Sequence, residues 1–212
     1  MLKHVMRRGA IKPYCGYSLT ELLVACSLAS IVISAVATQA ARSHIAYSSI
    51  QHATSVEDDI RALQSTITQH LSKAGFVYSP NTLSPFGATT IENTVFEITT
   101  GHRANEPENS CVTFSYDKNK DGVVSQAQGE FFGYRLHDNA IEYRVAGHSC
   151  IQSGWYDLTD TQTTVSTKFT VNRRHSSSWG SAYEIEIELH SKVDPTVKSA
   201  RTFIVEAVNA YY

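Results

Sequence analysis

The sequence predicts an α+β protein: a long N-terminal helix, membrane-spanning in its first half and amphipathic in its second, packed on a mostly antiparallel β-sheet. Three observations predict it. No charged side chain occurs from Leu22 to Ala41. Past Arg42, the residues Val56, Ile60, Leu63, Ile67 and Leu71 recur at spacings of four, three, four and four, which makes one apolar stripe on a helix. From Phe76 onward the apolar period shortens to two. It is clearest in Tyr183-Glu184-Ile185-Glu186-Ile187-Glu188-Leu189, where acids and aliphatics take opposite faces of a strand.

The uncharged run of twenty residues spans roughly 30 Å as a helix, about one hydrocarbon core. Residues 1–16 carry Lys3, Arg7, Arg8 and Lys12 and no acid. Basic flanks stay cytoplasmic, so the rest of the chain is expected on the far side of the membrane. A secretory signal places its small-residue cleavage site after the apolar region. Here Gly16 precedes that region and Glu21 lies just inside it. An uncleaved single-pass anchor is the plainer alternative. A carboxylate at the bilayer costs about 3 kcal/mol on the insertion scale, and one retained there marks a functional site. No proline occurs between Leu19 and Gly75. One helix is therefore expected across this stretch, with room for a bend between Ser43 and Ser55. Gly75 reads as its C-terminal cap. His52 and His70 lie beside the stripe and read as solvated.

The strands follow in order. Val95 to Thr99, Cys111 to Tyr116, Trp155 to Leu158 and Lys168 to Asn172 are candidates. Phe131 to Leu136 and Ala140 to Val145 flank His137-Asp138-Asn139 and read as a hairpin. Tyr183 to Leu189 and Thr202 to Val208 close the domain, joined through the turn Val193-Asp194-Pro195-Thr196. Ser176-Ser177-Ser178 reads as a loop. The boundaries are then 1–16 for a leader, 17–42 for a membrane helix, 43–75 for its amphipathic continuation and 76–212 for one globular β-rich domain.

The stretch Gly16-Tyr17-Ser18-Leu19-Thr20-Glu21-Leu22-Leu23-Val24-Ala25 resembles the type III signal of type IV prepilins and of type II secretion pseudopilins. The resemblance implies that a prepilin peptidase cuts after Gly16. It also implies that Tyr17 becomes an N-methylated first residue, in a place where the family most often has Phe. Glu21 becomes mature residue five. The physics agrees: Tyr17 and Glu21 are four apart on one helical face, and the carboxylate lies near a helix N-terminus. An amine offered by a neighbouring subunit satisfies Glu21 better than either effect, and that is the pairing the resemblance implies for assembly. Cys111 to Asp117, Glu130 to Leu136, Cys150 and Gly154-Trp155 resemble the PilW/PpdB group of minor pilins, which is similar to the J-type pseudopilin. The implied partners are major and minor pilins, the prepilin peptidase and an inner-membrane assembly platform. The implied place is the inner membrane with the domain in the periplasm, then a pilus fibre or its tip. The implied role is initiating or capping a type IV pilus. Alternatives are a J-type pseudopilin of type II secretion and a membrane-anchored periplasmic binding domain that never polymerises.

Four cysteines occur. Cys15 lies in the leader, and Cys26 in the apolar helix behaves as a small hydrophobe. Cys111 and Cys150 remain, an even pair in an exported domain, where a disulfide is permitted; two unpaired buried thiols are the alternative. Asp117, Asn119, Asp121, Val123, Ser125 and Gln128 match the opening of an EF-hand-type calcium loop, with Gly122 at position six and Gln128 where such loops carry Glu. The alternative is an Asn/Asp/Gly-rich tip that binds nothing. No cofactor is required, and a structural calcium ion is the single metal suggested. The net charge of −2 becomes −6 without the four leader cations, which argues against general nucleic-acid binding. Arg173-Arg174-His175 reads as a solvated basic loop. No HExxH, GxSxG or phosphate-cradling glycine loop is present, so no catalytic site is predicted.

Overall fold

A computed structural model describes residues 16–78, 98–145, 147, 149–177 and 180–209. The leader before Gly16, most of the strand expected at Val95 to Thr99, and Ser178 with Trp179 lie outside these. Helix α1 runs Leu19–Leu71, followed by β1 (Thr99–Gly101), β2 (Cys111–Ser115), β3 (Phe131–His137), β4 (Ala140–Val145), β5 (Tyr156–Asp157), β6 (Thr164–Ser177), β7 (Gly180–Ser191) and β8 (Lys198–Ala207). The chain divides into two compact units, at Ser48 and Ser49.

In the first unit every described residue through Tyr47 is exposed, as expected of a helix whose surroundings are lipid. α1 contains a segment long and apolar enough to cross a membrane. Its hydroxyls are satisfied within the helix. Ser27 donates to the Val24 carbonyl at 2.8 Å, Ser34 to Ser30 at 2.7 Å and Thr38 to Ala35 at 2.9 Å. That back-bonding lets polar side chains occupy an apolar medium.

In the second unit the stripe Val56, Ile60, Leu63, Ile67 and Leu71 is buried, at 0–3% exposure. It joins Phe114, Phe132, Tyr134, Phe169, Ile185, Ile187 and Leu189 in one core. The residues from Ser43 to Ser55 are all helical. Gly75 has φ 78°, the left-handed value that favours glycine. Its N–H goes to the Ser115 carbonyl at 2.9 Å, so it hands the chain to β2 instead of closing the helix on itself.

The single sheet expected from sequence is two antiparallel sheets, ordered β1-β2-β3-β4-β5 and β6-β7-β8. β3 and β4 meet through Asp138 and Asn139, both at positive φ (44° and 66°), the two-residue hairpin loop that matches strand twist. β7 alternates buried and half-buried residues along its length. β6 is much longer than Lys168 to Asn172 and is bulged twice, at Ser166/Lys168 and Arg173/His175. Arg173-Arg174-His175 is therefore strand, not loop, and Arg174 pairs with Glu184 at 2.5 Å. Between β7 and β8, Asp194 Oδ1 accepts from the Thr196 N–H at 3.0 Å and from its hydroxyl at 2.6 Å, which forms the expected turn.

Candidate functional site

At the helix entry, Gly16 is exposed with open space around it and Tyr17 is 88% exposed. The Leu22 N–H donates to the Ser18 carbonyl at 3.1 Å, which makes Ser18 the cap residue and Glu21 the third helical position. Glu21 Oε2 accepts the Ser18 N–H at 3.0 Å. This is the returning arm of a capping box. Ser18-Leu19-Thr20-Glu21 carries the S-x-x-E signature of such a box in the sequence itself. Within one subunit the carboxylate thus has a local donor, while Oε1 stays available.

The loop from Asp117 to Glu130 is built on two buried carboxylates that accept backbone amides. Asp117, 2% exposed, accepts from Lys120 at 2.6 Å and Asp121 at 3.3 Å on Oδ1. On Oδ2 it accepts from Gly122 at 2.9 Å and Tyr78 at 3.0 Å. Glu130, wholly buried, accepts from Lys118 at 2.8 Å and Asn119 at 3.3 Å on one oxygen and from Ser125 at 2.9 Å on the other. Asn119, Asp121 and Gln128 do converge: Asp121 Oδ2 accepts from the Asn119 amide at 2.9 Å and from the Gln128 amide at 2.8 Å. The Val123 N–H at 2.9 Å, followed by the Asn119 and Gln128 amides, holds the Asp121 carboxyl below its usual range. Asp121 Oδ2 and both carboxyls of Asp117 and Glu130 thus face N–H donors. Among the described residues no group of three or more His, Cys, Asp or Glu side chains is placed to hold a metal ion. These hydrogen bonds fix the shape of the loop. Millimolar calcium is expected to leave its melting temperature unchanged; a rise on titration returns the cation to this loop. Glu130→Ala strands three amides and is expected to cost about 3 kcal/mol, read as a lowered urea midpoint of the full chain in detergent.

Cys111 and Cys150 form a disulfide with Cα atoms 6.0 Å apart.

The family model described as prepilin peptidase-dependent protein B matches residues 49–207. The chain belongs to this family. A relative, prepilin peptidase-dependent protein B of Escherichia coli (strain K12), is 22% identical over 197 residues, covering 92% of this chain and 96% of the relative. No solved structure matches significantly. The family match begins where the second compact unit begins and omits the decamer from Gly16 to Ala25. The match to the Escherichia coli relative, at 92% of the chain, extends beyond the family model into the apolar helix.

Within this family member, one reading made from sequence needs correction. His70 is not solvated: it is half-buried, its Nδ1 lies 2.6 Å from the Tyr134 hydroxyl, and its ring neighbours Phe132 at 5.8 Å. Burial, with Lys73 and Lys118 nearby, pushes its pKa down. A His held neutral in the fold and freer to charge when unfolded stabilises above its ordinary pKa of about 6.5 and loses that contribution as pH falls through it. Stability is expected to drop between about pH 7 and 5, and less so in His70→Gln; equal slopes for both proteins remove His70 as the cause.

Proposed function

We propose that this family member is a minor pilin. A prepilin peptidase cuts it after Gly16, Tyr17 becomes the amino terminus, and the apolar half of α1 holds it in the inner membrane with the second unit in the periplasm. It then takes part in initiating or capping a type IV pilus. The observation that carries this reading is the agreement of two signals along one chain. A basic leader, Gly16 and Glu21 ahead of a membrane-length apolar helix lie in one unit, and the prepilin peptidase-dependent family match lies on the other. The chemistry is assembly. Glu21 enters the bilayer capped on Ser18 and exchanges that donor for the amine of an adjoining subunit, a stronger charge-assisted partner in low dielectric.

The test is mass spectrometry of the amino terminus of the protein isolated from cells with and without the peptidase. The expected result is a chain beginning at methylated Tyr17 only where the peptidase is present. A chain that begins with Met1 in both strains overturns the reading and leaves an anchored periplasmic domain.

A further inference from the structure

Strand β8 pairs with β7 along its length, from His190↔Lys198 to Ser181↔Ala207. Among the described residues it has no strand on its other side. A free edge of this length offers a row of backbone donors and acceptors, which soluble proteins normally blunt. β8 carries no proline, so every residue keeps its N–H. Its inward-pointing Arg201, the kind of charge that guards an edge, is spent on Glu57 of α1. Its even-numbered side chains, Lys198, Ala200, Thr202, Ile204 and Glu206, are all exposed, and Ile204 is 62% exposed. On the same face Glu186 pairs with Lys168 and Glu184 with Arg174. Lys198 and Glu206, near the two ends of the edge strand, have no ion-pair partner among the described residues.

We infer that β8 is an interface for a second copy of this chain, pairing antiparallel with that copy's β8 about a two-fold axis at Thr202 and joining two three-stranded sheets into one. In this register each Lys198 lies opposite the second copy's Glu206, each Ala200 opposite its Ile204, and Thr202 opposite Thr202. The charges match twice over, small faces large, and the exposed face stays continuous. A slip of two residues sets Lys198 against Ile204 in one direction, or Glu206 against Ala200 in the other, and both ion pairs vanish. A slip of one sets outward side chains against inward ones. The charges at the strand ends thus reject a general strand partner and accept one in this register. The inference does not depend on the minor-pilin reading.

Register-specific cross-linking of the full chain in detergent tests it, in a Cys15→Ser, Cys26→Ser background that keeps the Cys111–Cys150 bond. Directly opposed Cβ atoms are about 5 Å apart. Thr202→Cys alone is expected to give a disulfide-linked dimer on mild oxidation. Ala200→Cys alone and Ile204→Cys alone are expected to give none, and the two together to give dimer. Lys198→Glu is expected to lower the Thr202→Cys dimer yield roughly tenfold, and adding Glu206→Lys to restore it. All these positions are exposed, so the fold is kept. Equal yields from Thr202→Cys and Ala200→Cys overturn the inference. So does monomer from every variant, or a charge-reversed pair no better than Lys198→Glu alone.

Discussion

Replacing Glu21 by valine is expected to leave cleavage after Gly16 intact, to leave membrane levels equal or higher, and to abolish nearly all incorporation into a fibre or its initiating complex. Removing the carboxylate relieves the subunit of about 3 kcal/mol of insertion cost, so the anchor itself improves. What is lost is the acceptor for an incoming amine, which is then left unpaired in lipid at a comparable cost, roughly a hundredfold in the docking equilibrium. The Ser18 bond at 3.0 Å supplies a competing explanation, because valine also removes the capping arm. A lost cap costs about 1 kcal/mol, too little for the full effect. Glu21→Gln separates the two. Its amide oxygen still reaches the Ser18 N–H, but it brings no charge to a partner amine. Glutamine is expected to assemble as poorly as valine. If glutamine assembles normally, the cap is the function of this residue and the charge pairing is not.

The helix stripe was legible because burial imposes a period that no other pressure mimics: five apolar residues at helical spacing are the five that α1 buries. The Asp138-Asn139 turn and the alternation of β7 were legible for the same kind of local reason. The division into two sheets was not, since pairing partners far apart in sequence leave no mark on local period. The true length of β6 was hidden because its bulges break alternation at Ser166/Lys168 and Arg173/His175, and charged residues there pair across the face instead of facing water alone. At the candidate site the oxygen-rich loop was visible as composition, but composition does not say whether carboxylates point at a cation or at amides. Asp117 and Glu130 point at amides because the chain on either side of them turns N–H groups inward. His70 was misread because its partner Tyr134 lies 64 positions away, beyond any spacing rule.

Converting both Cys111 and Cys150 to serine is expected to cost about 4 kcal/mol, the chain-entropy value for a closed loop of this length, or a melting temperature lower by roughly 10 °C for a domain of this size. The loss has a specific anatomy. The Cys150 carbonyl accepts from Arg135 at 2.9 Å, and Arg135 also meets Glu142 at 2.5 Å. Arg144 donates to the carbonyls of Gln152 and Ser153 at 3.3 Å. Trp155 is clasped between the guanidinium groups of Arg135 and Arg144, at 4.6 and 4.9 Å, and a Cβ at Gly133 would come within 2.8 Å of its ring. The segment after Cys150 therefore roofs three buried charged residues on the five-stranded sheet. With the disulfide gone, that roof depends on hydrogen bonds and stacking alone, and water reaches Arg135, Glu142 and Arg144. Buried charges tolerate exposure better than they tolerate losing one partner, so the sheet itself is expected to survive. Trp155→Ala is then expected to cost much less in the serine variant than in the oxidised protein, since both changes open the same roof. Full additivity of the two changes, or an unchanged melting temperature on reducing the wild-type protein, would show that the disulfide does not hold this segment down.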